Sequence, residues 1–151
     1  MQKITPFLWF DCSLQEVVDF YSQVFPNTRV ETLNLMSATF VIEGQEFMAL
    51  NGGPQFKFNE AVSLFIRCET QEEVDYFWRE LTISGGAESR CGWLKDRFGL
   101  SWQVIPNALS KYLADKDRTK ANRVMQAMFK MNKIDIAALD DAYNAEPSEA
   151  H

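Results

Sequence analysis

The stretch Cys91-Gly-Trp-Leu-Lys-Asp-Arg-Phe-Gly-Leu-Ser-Trp-Gln-Val-Ile-Pro106 reads as strand, tight turn, strand. Asp96 opens the turn, since an aspartate side chain accepts hydrogen bonds from backbone amides just ahead of it. Gly99 can take the positive φ such a turn needs, and Ser101, Trp102, Gln103, Val104 and Ile105 form a β-prone run. Working backwards, residues 61–68 read as a strand, and Thr70 with Glu73 forms a capping box. Val74, Phe77, Trp78 and Leu81 then fall on one helical face, and Gly85-Gly86 stops the helix. Strands are expected at 87–91, 93–95 and 101–105.

The same order occurs once before. Residues 4–10 are a dense apolar run, and Ser13 with Glu16 makes an earlier capping box. Val17, Phe20, Tyr21 and Val24 follow at helical spacing, ending before Pro26-Asn27. Short strands are expected at 29–34, 38–43 and 46–51, with Glu43-Gly44-Gln45 as the last turn. Phe20-Tyr21 and Phe77-Trp78 occupy matching places on the two helices, which points to a duplicated module. The fold class is therefore α+β: two tandem β-α-β-β-β modules, residues 1–53 and 54–106, followed by a helical tail, 107–151, expected together as one structural domain. Gly52-Gly53-Pro54 reads as the linker. In the tail, Asn107 or Ser110 can cap a short helix, and Ala121, Val124, Met125 and Met128 form an amphipathic stripe that reads as packing. Met131 extends it, and Ile134, Ile136, Leu139 and Tyr143 indicate a last short helix.

Composition removes several function classes. The 151 residues carry a net charge of −6, against the clustered basic surface that nucleic-acid phosphates require. The Lys and Arg residues between Lys111 and Lys133 alternate with Asp115, Asp117 and apolar residues, as on a solvated helix face. No apolar run is long enough to span a bilayer, and Met1 to Pro6 lacks a signal peptide's apolar segment, so a cytoplasmic protein is expected. Cys12, Cys68 and Cys91 are scattered and form no C-x-x-C pair, so neither a disulfide framework nor a thiolate zinc site is indicated. The one histidine is His151, at the end of the chain, a poor place for an imidazole that must be held rigidly.

Pro6-Phe7-Leu8-Trp9-Phe10-Asp11, the 16–25 helix, Ala61-Val62-Ser63-Leu64-Phe65, Thr70 to Asp75 and Gly92 to Pro106 together resemble the PhnB-like family. Many of its members carry the label 3-demethylubiquinone-9 3-methyltransferase. The family falls in the vicinal oxygen chelate group, with glyoxalase I, extradiol dioxygenases and the fosfomycin and bleomycin resistance proteins. The resemblance implies that each module curls its sheet into half a barrel and that the protein is a homodimer. It also implies, for active members of the group, a divalent metal on four side chains, one on the first and one on the last strand of each module.

Counting back from the two helix caps puts the first-strand positions at Pro6 and Ser63, with Gln103 and Ala49 (or Asn51) on the last strands. Proline and alanine have no side-chain donor, and Ser63 and Gln103 are weak neutral ones. Hard divalent cations favour anionic oxygen, and zinc favours imidazole or thiolate. No metal site and no cofactor are expected. Nor does Gly52-Gly53-Pro54 resemble the glycine-rich turn before a helix with which methyltransferases commonly hold their cosubstrate.

Strand alternation from these positions turns Pro6, Leu8 and Phe10 inward, together with Ser63, Phe65, Arg67, Gln103 and Ile105. Cys91 and Trp93 join them. Phe10, Ser63, Phe65, Arg67, Cys91, Trp93 and Gln103 thus form a candidate ligand-binding set, aromatic with a few polar groups; the bland alternative is that they fill the barrel. Arg67 inside such a cup needs an anionic partner: Glu43, Glu69 or a carboxylate of the ligand. Asp96 reads as a turn residue rather than a general base, Cys91 lacks an adjacent base, and Asp11 suits the dipole of the first helix. The sequence leads to a metal-independent binder of an unknown small molecule, with catalysis unassigned. The alternatives are a divalent-metal lyase, isomerase or dioxygenase of the group, and a filled-barrel dimer with a partner-binding role.

Overall fold

The computed structural model describes residues 2–146, so His151 lies outside the described residues. The chain divides into two compact units, one ending at Phe58 and the other beginning at Asn59. Each contains a four-stranded sheet with one helix inserted after its first strand.

The first unit runs β1 (Phe7–Phe10), α1 (Leu14–Val24), β2 (Thr28–Leu33), β3 (Ser37–Ile42) and β4 (Gln45–Asn51). The strands lie in the order β1-β4-β3-β2, with β1 parallel to β4 and the other pairs antiparallel. A helical crossover is what a parallel pair requires, and α1 supplies it. The β3–β4 turn is made by Glu43 and Gly44, both at positive φ (49° and 81°), which matches the twist of a two-residue hairpin. Leu8, Phe10, Ala38, Phe40, Ile42, Phe47 and Ala49 are buried under α1, where Tyr21 stacks on Phe40 at 6.3 Å. Each large apolar side chain so buried contributes about 1.5–3 kcal/mol.

The second unit repeats this arrangement: β5 (Ser63–Cys68), α2 (Gln71–Thr82), β6 (Ala87–Glu88), β7 (Trp93–Lys95) and β8 (Ser101–Pro106), in the order β5-β8-β7-β6. The first pair is again parallel and the rest antiparallel. The expected α+β class with two β-α-β-β-β modules is the observed one. The strand expected over 87–91 shortens to Ala87–Glu88, because Cys91 (φ 60°) and Gly92 (φ 84°) leave the extended region.

The two helix starts differ. Thr70 accepts from the Glu73 amide at 3.2 Å, and the Glu73 carboxylate reaches back to the Glu69 amide at 3.4 Å. Ser13 sits at the N-cap of α1 but its hydroxyl makes no capping hydrogen bond, so the earlier capping box is not closed. Thr70→Ala should therefore cost about 1 kcal/mol in urea unfolding, and Ser13→Ala only a few tenths. Equal losses at both positions would contradict this difference.

After Pro106 come α3 (Asn107–Leu113), α4 (Arg118–Met128) and α5 (Ile136–Asn144). Leu109, Val124, Ile134 and Leu139 bury themselves around Ile105, with Met128 and Met131 packed alongside. The methionine stripe is thus packing, as its periodicity suggests. Two of the basic residues are not simply solvated: Arg118 donates to the carbonyls of Leu113 and Asp115, and Arg123 to those of Ala142 and Tyr143. Each arginine satisfies otherwise unpaired carbonyls at or just past the end of a helix. Tyr112 and Tyr143 stack at 4.5 Å and donate to Asp140 and Asp115 respectively. The Asp140 hydrogen bond is the main reason the Tyr112 phenol is pushed up to about 12. Gln71 fastens the tail to α2: its amide donates to the Ile134 carbonyl at 3.0 Å and accepts from the Ile136 amide at 2.8 Å. No helix among the described residues is long and apolar enough to cross a membrane.

Candidate functional site

The helix on each sheet covers one face; in the second unit the tail cluster also covers the Ile105 end of the other face, and the rest is left open. In the second unit the register decides which residues share the open face. Leu94 pairs with Trp102 on the α2 side, and both are buried. One step along, Trp93 pairs with Gln103, Lys95 with Ser101, Phe65 with Gln103 and Ser63 with Ser101. Ser63, Phe65, Arg67, Trp93, Lys95, Ser101 and Gln103 therefore project to the face opposite α2.

Five of the seven expected site residues, Ser63, Phe65, Arg67, Trp93 and Gln103, belong to this surface. Gln103 donates through Nε2 to Ser63 Oγ at 2.9 Å, tying β8 to β5 across the face. Phe65 is 44% exposed, so an aromatic ring is presented rather than buried. The Arg67 guanidinium lies 5.5 Å from the centroid of that ring. Arg67 is exposed and pairs with no carboxylate among the described residues. In water it needs none, so the partner expected for a buried arginine is not required. Lys95, which the sequence reading passed over, forms an ion pair with Glu60 on this side.

Phe10 and Cys91 are placed elsewhere. Phe10 is 2% exposed, pairs with Asn51 and shares the α1-covered side with Leu8, Phe47 and Ala49; its ring meets Phe58 edge-on at 5.3 Å. Cys91 stands in the left-handed turn before β7, where its amide donates to the Met131 carbonyl at 2.9 Å. Cys68, on the α2 side, is fully buried, and burial pushes its thiol up to about 12, which leaves it a poor nucleophile.

In the first unit the open face is Phe7, Trp9, Met48 and Leu50 with Thr39 and Val41, not Leu8 and Phe10. The inward direction assigned to Pro6, Leu8 and Phe10 is thus reversed. The cause is one extra residue: Asp11 and Cys12 separate β1 from its N-cap, where only Glu69 separates β5 from Thr70. Counting back from the caps slips the strand by one, and one residue flips every side chain. Superposing the registers (Leu8 with Ala49, Ile66 with Val104) makes Thr5 the counterpart of Ser63 and Met48 that of Gln103.

These are the positions to which the family resemblance assigns the metal ligands of active members. Thr5, which lies just before β1 and donates to Glu46, with Met48 on β4, and Ser63 with Gln103 in the second sheet, offer hydroxyl, thioether and amide groups. None is anionic, and none is an imidazole or thiolate, so the donors do not fit a hard or borderline divalent cation. Among the described residues no three His, Cys, Asp or Glu side chains gather where they could hold an ion.

Asp96 is 2% exposed and fully engaged in its turn. Its Oδ1 accepts from the amides of Phe98 (2.9 Å) and Leu100 (3.1 Å), and its Oδ2 from the Trp102 indole (2.8 Å). With these donors on it, its role is to hold the β7–β8 connection. In the first unit, Trp9 lies against Gly52 and donates to the Gly53 carbonyl at 2.9 Å, so this glycine pair seats an indole where any Cβ on Gly52 would collide.

The sequence model of the family described as 3-demethylubiquinone-9 3-methyltransferase matches residues 2–105, ending before α3. The PhnB protein from Bacillus cereus is 32% identical, with a TM-score of 0.64 over 70% of this chain and 99% of that one. The fosfomycin resistance protein FosX from Mesorhizobium loti is 12% identical, with a TM-score of 0.56 over 76% of this chain and 99% of its own. A glyoxalase-related enzyme from Fulvimarina pelagi is 13% identical, at 0.52 over 72% and 91%. The last two share the fold. No curated protein matches the chain.

Proposed function

The chain belongs to the family described as 3-demethylubiquinone-9 3-methyltransferase, within the vicinal oxygen chelate group, and we propose that it acts there as a metal-independent binder of a small molecule. The observation that carries this reading is the open face of the second sheet. Phe65 and Trp93 present aromatic surface there, Arg67 adds a cation at its edge, and the Ser63–Gln103 hydrogen bond ties β5 to β8 across it. Such a surface suits a compact, planar, aromatic or conjugated compound. Hydroxyl, thioether and carboxamide groups are weak ligands for the divalent cations of Lewis-acid chemistry, so no metal-assisted step enters the proposal. Methyl transfer does not enter it either: Gly52 is used to seat Trp9, and no helix follows it to receive a cosubstrate.

We place the protein in the cytoplasm as a homodimer. Ile4, Leu35, Met36 and Phe56 of the first unit are each more than 60% exposed, which favours self-association through that unit.

Indole, an uncharged planar probe, tests the aromatic face. It should shift the amide resonances of Phe65, Trp93 and Gln103 in a saturable way. Phe65→Ala should weaken it about tenfold, the equivalent of ~1.4 kcal/mol, and added Mn²⁺ or Zn²⁺ should leave its affinity unchanged. Affinity that Phe65→Ala does not alter would remove this face as the site. Affinity that appears only with metal would favour a divalent-metal enzyme.

A further inference from the structure

Ser101 is the one buried side-chain polar group among the described residues that finds no hydrogen-bond partner. It is 1% exposed, although it projects from the face that α2 leaves uncovered. A hydroxyl buried in this way forfeits about 1–3 kcal/mol. The sequence did not require it, since the flanking strand positions are apolar and alanine would fit a β-strand at this position.

The residues paired with it across the sheet, and the next on its own face of β8, are polar. The register sets Ser63 on one side of Ser101 and Lys95 on the other, and Gln103 is next along the same face of β8. Facing residues on adjacent strands have Cβ atoms about 5 Å apart, close enough for one small group to touch both. The hydroxyl of Ser63 already accepts from Gln103, so its own proton remains to be donated. Lys95 holds Glu60, and the pair is partly solvated, with side-chain exposures of 40% and 62%. Glu60 belongs to no strand or helix, so its carboxylate can leave without disturbing the sheet. The Lys95 contact also holds the Glu60 carboxyl below its ordinary pKa. A carboxylate thus already sits on Lys95, whose strand position faces that of the unsatisfied hydroxyl.

We propose that Ser101, Ser63 and Lys95 form an oxyanion-binding pocket at one end of the aromatic face, with Glu60 as its internal, displaceable occupant. The ligand class this selects is a compact aromatic compound bearing a carboxylate. Its ring lies toward Phe65 and Trp93, and its carboxylate displaces Glu60 from Lys95 and accepts from Ser101 Oγ. The inference rests on the aromatic-face reading and adds to it the chemistry at one end.

Benzoate and its uncharged counterpart benzamide are the probes, titrated into the intact protein by calorimetry and by amide and Lys95 side-chain NMR shifts. Benzoate should bind at least about tenfold tighter than benzamide. Ser101→Ala should remove most of that difference while leaving the melting temperature unchanged or higher, because it deletes an unsatisfied group. A merely structural serine would not combine lost affinity with undiminished stability. Lys95→Met should have the same effect on binding, and Glu60→Gln, which releases Lys95, should tighten benzoate several-fold. If Ser101→Ala and Lys95→Met bind benzoate as the parent does while Arg67→Ala does not, the pocket is overturned and the aromatic face stands. If benzoate perturbs no residue of this face and indole does not either, both fall.

Discussion

Asp96→Ala is expected to destabilise the protein by about 3–5 kcal/mol, measured as a lower urea midpoint at unchanged slope. Three donors lose their acceptor at once: the Phe98 and Leu100 amides and the Trp102 indole. Asp96 and Trp102 are 2% and 4% exposed, so water cannot readily replace the carboxylate. Each buried donor left unpaired costs about 1–3 kcal/mol, and small domains hold only 5–15 kcal/mol in total. Asp96→Asn should cost less, about 2 kcal/mol, because an amide oxygen can still accept from the two backbone amides, while its NH₂ group would face the indole N–H. A cycle of Asp96→Ala with Trp102→Phe should show coupling above 1 kcal/mol, about the value of one charge-assisted hydrogen bond. A loss under 1 kcal/mol for Asp96→Ala would mean that the turn is held by other groups, and would reopen a chemical role for this carboxylate.

Gly92→Ala should cost about 3 kcal/mol and loosen the tail. Gly92 sits at φ 84°, where a side chain is strained. A Cβ there would lie 2.6 Å from Ile105 Cδ1, 3.1 Å from the Val104 carbonyl oxygen and 3.2 Å from Ile134. Ile105 and Ile134 belong to the cluster that seats the tail helices, so the overpacking is relieved by moving them apart. The Gly92 amide also donates to the Asn132 carbonyl at 2.8 Å, a bond that the same movement breaks. Gly99→Ala is the comparison: φ is 87° but a Cβ meets nothing within 4 Å, so only backbone strain of about 1 kcal/mol is added. Hydrogen exchange should rise in α4 and α5 of Gly92→Ala and stay unchanged in Gly99→Ala. Equal losses for the two would show that the tail is not seated on this glycine.

The duplication was legible because each module writes the same local signals: a strand, a capping residue, a helical apolar face and a helix-breaking pair, Pro26-Asn27 in one and Gly85-Gly86 in the other. The open face of the second sheet was legible as well, since β5 and β8 are parallel neighbours and alternation carries over directly. The first sheet misled through a single residue. Asp11 and Cys12 lengthen the connection to α1, and periodicity within a short apolar run cannot reveal which of its two faces a helix will cover. Sequence reasoning also missed Lys95 and Ser101. Lys95 looks like an ordinary strand charge until the partner in the 59–62 segment is known. Ser101 looks like an ordinary strand serine until its burial and its lack of a partner are seen. Gln71 gave no signal that its amide would clamp residues more than sixty positions away, because such contacts depend on how the tail folds back.

Native mass spectrometry of gently purified protein, paired with elemental analysis, tests most directly whether the protein binds small molecules without a divalent metal. A subunit pair free of stoichiometric divalent metal, and able to take up a small aromatic molecule after chelator treatment, is the predicted result. One tightly held Mn²⁺, Zn²⁺ or Fe²⁺ per subunit, whose removal abolishes small-molecule binding, would contradict it.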